Sequence, residues 1–236
     1  MLRSGSQAAL VRAFVCIGLG LGLGAGRAHA QAPGRTLGAA GSALPTLEDA
    51  AAGLTDLRFP WRGSRRLVAL PGEVPAPGSG ALHRVRINVE GGLPVDAAVF
   101  AGFVMDTLND PRGWGHDGKR TFARTAGEAE LTVTLASPGT TATLCLPYET
   151  LGILSCGKRG HAILTLHRWV LGAASYGEAD QRMTDYRRYL INHEVGHVLG
   201  LDHARCRRRG ALAPVMLPQT KGLWGCRPNP WPFAQP

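Results

Sequence analysis

Apolar and polar residues alternate in RVRINVE, Arg84 to Glu90, with Val85, Ile87 and Val89 on one face. A period of two predicts a strand. The period then changes: in Pro94 to Leu108, Val95, Val99, Phe103, Met105 and Leu108 suit the inward stripe of a helix. The turn-rich NDPRGWGHDGKR follows, then a short strand, TFART. AELTVTLAS, Ala129 to Ser137, alternates again, and GHAILTLHRW, Gly160 to Trp169, supplies another strand. Between these two strands, Cys145 to Cys156 reads as a loop. MTDYRRYLINHEVGHVLG predicts a long helix, with Thr184 as its N-cap and Gly200 as its stop. Strand, helix, strands and a second long helix predict an α+β domain over residues 81–236, a twisted mixed sheet with two main helices. No internal repeat is visible.

Upstream the texture changes. Residues 31–80 are rich in Ala, Gly, Pro and Ser, and PGEVPAPGSG reads as linker, so this stretch is expected to be a spacer or a propeptide. Glu48 and Asp49 are its acidic residues with a conceivable reach to a metal. Residues 1–30 have the layout of a signal peptide. Arg3 and Arg12 are basic, Phe14 to Gly26 is apolar, and Ala28-His29-Ala30 offers small residues for cleavage. The apolar run is too short and glycine-rich for a stable membrane anchor. Secretion, to an extracytoplasmic location, is the expectation.

Export changes the cysteine count. Cys16 leaves with the leader, and Cys145, Cys156, Cys206 and Cys226 remain. Four cysteines in an oxidising compartment read as two disulfides. Cys145–Cys156 with Cys206–Cys226 is the simplest of three connectivities. No CxxC pair occurs, which disfavours a cysteine metal cluster. Residues 31–80 hold no cysteine, which excludes latency by a cysteine ligand from that stretch.

The formal net charge is +9, carried almost wholly by arginine. Removal of Arg3, Arg12 and Arg27 leaves +6. The basic residues come without an aromatic-basic motif, so no nucleic-acid partner is expected. An anionic envelope, acidic polymers or acidic proteins suit such a charge, and so does solubility alone.

The strongest chemistry lies in INHEVGHVLGLDH, Ile191 to His203. On a helix, His193 and His197 share a face and can present imidazoles to one ion. Glu194 sits beside them, able to reach a metal-activated water without ligating. Gly200 permits the reversal that returns His203 as third ligand. Three histidines leave a fourth zinc position open, as in catalytic rather than structural sites. HExxH alone would arise by chance in about one such chain in a hundred; the added glycine and histidine make it far rarer.

HEVGHVLGLDH resembles the HExxHxxGxxH signature of the metzincin metallopeptidases. That family also carries a methionine turn beneath the metal, and PVMLP places Met216 thirteen residues after His203. Two departures stand out: Ala204 after the third histidine fits no standard subgroup, and no tyrosine closely follows Met216. From about Val85 onward, DPRGWG, LCLPYETLGILSC, YRRYLINHEVGHVLG, APVM, QTKGL and CRPNPWP resemble a secreted, mainly actinobacterial domain family of unknown function. That family is assigned to the zincin-like metallopeptidases. The resemblance implies a zincin fold with an active-site helix and a C-terminal Met-turn subdomain, but no substrate.

Together these residues predict a secreted, monomeric zinc endopeptidase acting on proteins or peptides, some of them of the cell envelope. His193, His197 and His203 would bind Zn2+, with Glu194 as general base and the strand near Gly160 to Trp169 pairing with substrate. A zinc hydrolase of cell-wall peptide or amide bonds is one alternative. A non-catalytic, zinc-stabilised envelope-binding module is another. His83, His116, His161 and His167 read as surface or core residues. Asp110 and Asp117 read as turn residues as readily as calcium ligands. Tyr176, Tyr186 and Tyr189 are candidate transition-state donors.

Overall fold

The computed structural model describes residues 44–176 and 181–234; the leader expected at residues 1–30 lies outside them. Six strands form one mixed sheet: β1 Leu67–Ala69, β2 Ala81–Glu90, β3 Arg120–Arg124, β4 Leu131–Ala136, β5 Cys156–Lys158 and β6 His161–Thr165. Their order is β1-β2-β4-β6-β5, with β3 beside the first half of β2. β2 is long enough to hold β3 along Ala81–Val85 and β4 along Val85–Val89, both parallel. β1 and β5 run antiparallel to their neighbours and form the edges.

β4 alternates in sequence, yet all six of its residues are buried. It lies between β2 and β6, and threonine suits such a site because its methyl packs on a pleated surface. β6 is shorter than the sequence suggests. It ends at Thr165, whose hydroxyl accepts the His167 N–H and caps a helix. That strand is also internal, flanked by β4 and β5, so it cannot pair with a substrate as expected. The available edge belongs to β5.

Five α-helices accompany the sheet among the described residues: α1 Leu47–Ala51, α2 Ala97–Asn109, α3 Pro138–Leu144, α4 Leu166–Leu171 and α5 Gln181–Val198. The Asp96 carboxylate caps α2 by accepting from the N–H groups of Ala98 and Val99. Met105 and Leu108 of the expected α2 stripe are buried, together with Phe100 and Val104, whereas Phe103 is half-buried and Val99 exposed. α5 packs on α2, β5 and β6. It begins at Gln181, so Thr184 sits inside the helix rather than capping it. Gly200, at φ +88°, makes the expected left-handed exit.

Residues 44–80 have a linker's composition, yet part of this stretch lies in the packed body. Thr46 and Asp49 form a capping box on α1, and Leu54, Leu57 and Leu70 are buried. The buried Trp169 donates its indole N–H to the carbonyl of Ala52 at 3.1 Å. Asp49 is fully buried and meets the equally buried Arg187 of α5 at 2.5 Å. The body therefore begins ahead of residue 81. Pro71–Gly80 is irregular and mostly exposed, tied down where Val74 bridges to Arg124.

Candidate metal centre

α5 carries His193 and His197 one turn apart, facing a cleft of about 450 Å³. Past Gly200 the chain folds back and brings His203 to the same point. The ligand-capable ring atoms of the three histidines lie within 4.8 Å of one another. Among the described residues this is the one group of three that could hold a metal ion. The rings are graded in exposure, His193 buried, His197 half-buried and His203 exposed, so solvent enters from the His203 side.

Hydrogen bonds set the tautomers. Nδ1 of His193 lies 2.8 Å from the carbonyl oxygen of Val215, and Nδ1 of His197 lies 2.8 Å from that of Leu201. A carbonyl oxygen only accepts, so both Nδ1 atoms carry hydrogen and both Nε2 lone pairs are free. The Nε2 atoms of His197 and His203 stand 3.2 Å apart. Two imidazole nitrogens on one tetrahedral ion would stand about 3.3 Å apart. Three imidazoles with a shared focus, two of them with tautomers set by backbone carbonyls, fit a divalent metal.

Protonation favours the same use. Burial holds His193 down to about 3, helped by the neighbouring His197 and His203 and opposed by its bond to Val215. The ring is therefore neutral and ready to ligate at physiological pH. Burial also pushes the Glu194 carboxyl up to about 8, so without a cation nearby it keeps its proton near neutrality. Glu194 stands beside the imidazoles and lines the same cleft.

The floor is the loop from Pro214 to Gln219, whose carbonyls are used one after another. That of Pro214 accepts from Leu217 N–H, that of Val215 from His193, that of Met216 from Ala204 N–H and that of Leu217 from Tyr189 O–H. Met216 is buried, its sulfur against the α5 backbone at Gly196, where Trp114 also packs. A Cβ at Gly196 would meet both side chains, so a glycine here lets the floor close on the helix. Tyr189 also accepts the Gln219 N–H at 2.8 Å. Its hydroxyl is thus committed to bracing the floor, which counts against a role as transition-state donor. The Tyr186 hydroxyl is paired with Thr220 at 3.0 Å.

Two disulfides brace the walls, Cys145–Cys156 and Cys206–Cys226, the nearest-neighbour pairing. The first joins β5 to the loop that carries Tyr148 and Glu149 over the cleft. The second ties the chain just beyond His203 to the segment after the floor. Two disulfides indicate an oxidising compartment, and no helix among the described residues is long and apolar enough to cross a membrane. β5 lies so close to α5 that a Cβ at Gly157 would stand 2.7 Å from the Cβ of His197 and collide with the Glu194 carbonyl. Its free edge therefore borders the histidines directly.

The remaining candidates lie elsewhere. His83 stacks on Phe122, His116 on Phe233, and His167 sits edge-on to Phe59 and Trp61; His161, on β6, is exposed. Asp110 closes a turn on Arg112 through three hydrogen bonds, which favours the turn reading over calcium. Asp49 is held by Arg187. Several supports carry no periodic signal. Trp114 donates to the Asn192 carbonyl at 3.0 Å, and the Asn192 amide donates to the Pro230 carbonyl at 2.9 Å. Gln219 and Asn229 are joined by two further bonds, from Gln219 Nε2 to the Asn229 carbonyl and from Asn229 N–H to Gln219 Oε1. The distinctive strings DPRGWG, QTKGL and CRPNPWP were the signals that could have marked them.

No curated protein and no solved structure matches the chain. One family model matches residues 54–234, most of the chain, and on that match the chain belongs to the DUF3152 family, proteins of unknown function.

Proposed function

We propose that the chain is a secreted zinc endopeptidase of metzincin-like fold that cuts an extended peptide lying along the free edge of β5. One observation carries the reading: three imidazoles converge beside the buried carboxylate of Glu194, in a cleft that an edge strand borders. The HExxHxxGxxH spacing and the bonded turn around Met216 support the metzincin assignment.

His193, His197 and His203 would hold the ion, which would supply Lewis-acid polarisation of the scissile carbonyl and acidify a water. Glu194 takes the proton of the attacking water at its carboxylate and returns it to the leaving amine. Its burial suits that task, because desolvation makes the carboxylate more basic, while the bound cation would keep it ionised until it takes the proton. The backbone of β5 aligns the peptide by strand addition, and Gly157 brings that backbone against the catalytic helix. The protein acts as a monomer on proteins or peptides, including those of the cell envelope. No nucleic acid is involved.

The test is a proteome-derived peptide library with mass-spectrometric readout, applied to chelator-stripped and zinc-reloaded protein. Cleavage at a shared sequence pattern, present only with zinc, is expected. Hydrolysis confined to peptidoglycan fragments would overturn the endopeptidase reading.

A further inference from the structure

From His203 to Pro236 the chain carries six cationic side chains, Arg205, Arg207, Arg208, Arg209, Lys221 and Arg227, and no aspartate or glutamate. All six residues are exposed. None forms an ion pair with a carboxylate among the described residues. The nearest carboxylate in sequence is Asp202, which belongs to the cleft wall. Uncompensated charge on this scale repels itself, and a counter-charged partner relieves it.

The arginines are gathered rather than spread. The Cys206–Cys226 bridge closes the segment, Gly210 N–H donates to the Gly225 carbonyl at 2.8 Å, and Arg227 Nε donates to the Gly210 carbonyl at 3.0 Å. Arg209 packs beside Gly225. Among these cations stands Trp224, 62% exposed and at φ +46°, a backbone conformation that residues with side chains seldom hold. The Cys226 N–H bond to the Leu223 carbonyl closes the turn that presents the indole outward.

We propose that this face docks reversibly on an anionic phospholipid surface. Arginines pair with lipid phosphates, and indole is the side chain that favours the boundary between headgroups and acyl chains. A soluble polyanion would neutralise the arginines and leave Trp224 in water, whereas a bilayer surface satisfies both. The contact is peripheral, a cationic patch with one amphipathic ring. Lys221 lines the cleft as well, so the docked face and the cleft share a border.

The test is co-sedimentation of the full mature chain with vesicles of equal parts phosphatidylglycerol and phosphatidylcholine, and with phosphatidylcholine alone. Binding to the first, weakened by salt, and none to the second is expected. Arg207→Ser, Arg208→Ser and Arg209→Ser combined should reduce partitioning roughly a hundredfold. Trp224→Ser should reduce it several-fold and remove a blue shift of tryptophan emission seen on docking. Near-ultraviolet dichroism confirms that each variant is folded. Equal binding to both vesicle types, or unaltered binding by both variants, overturns the proposal. So does full competition by soluble polyphosphate with the Trp224 emission unmoved on vesicles, which would assign the face to a polyanionic chain instead.

Discussion

His193 Nδ1 donates to the carbonyl oxygen of Val215 across 2.8 Å, joining the helix that carries two imidazoles to the loop beneath them. The bond spans 22 residues and performs two tasks. It fixes the tautomer that frees Nε2, and it ties the site's floor to its most buried ring. Residues that hold the floor in place should therefore govern metal affinity without touching the metal.

Tyr189 is the sharpest case. Its hydroxyl donates to the Leu217 carbonyl and accepts from the Gln219 N–H, both buried. Tyr189→Phe removes two buried hydrogen bonds and leaves those two backbone groups only their bond to each other, so it should cost about 1–3 kcal/mol of stability and weaken metal binding. Chemical denaturation and a competitive zinc titration read both effects. A loss of turnover with stability and zinc affinity intact would instead assign the hydroxyl to the transition state.

Asp49 and Arg187 make a second, longer tie. Both side chains are almost completely withdrawn from solvent, and Arg187 also donates to the carbonyls of Trp169 and Glu48. Asp49→Ala would strip a buried guanidinium of its carboxylate, a loss of about 3–5 kcal/mol. Thermal unfolding should show a large drop in midpoint. Asp49→Asn should fall between the two, since it keeps the acceptor and loses the charge.

Glu90 gives the pH dependence. Burial pushes its carboxyl up, but the N–H groups of Ser137 and Arg65 and the Thr140 and Ser137 hydroxyls outweigh it, so the net shift is downward. A lowered folded value means that ionised Glu90 contributes its full stability above pH 4.5, its ordinary value. That contribution disappears as pH falls below 4.5 and through the folded value. Glu90→Gln should cost about 1–3 kcal/mol at neutral pH, and the difference should shrink on acidification. Denaturant midpoints measured for both proteins across acid and neutral pH check this.

The legible parts of the molecule are those with a period or a spacing. β2 and the bulk of α2 follow from alternation and a 3.6-residue repeat, and the histidine group follows from i, i+4 spacing and a helix-ending glycine. What escaped has no local pattern. α1 is five residues long and owes its place to Asp49 and Arg187, 138 residues apart. β5 is three residues with a central glycine, and only its approach to α5 explains why no side chain fits there. The turn of β6 into α4 at Thr165 rests on one hydroxyl cap. On α2, Met105 and Leu108 followed the expected stripe but Phe100 and Val104 did not, because AAVFAGFVM is apolar on nearly every side and packing chooses the face.

The measurement that bears most directly on the account compares wild type with Glu194→Ala, both loaded with zinc, for metal content and peptide-bond hydrolysis. One zinc per chain in both proteins is expected, with hydrolysis in the wild type and at least a hundredfold less in the variant, since general acid–base catalysis contributes about 10²–10⁴-fold. Equal hydrolysis by the two proteins, or no zinc retained by the wild type, would contradict it.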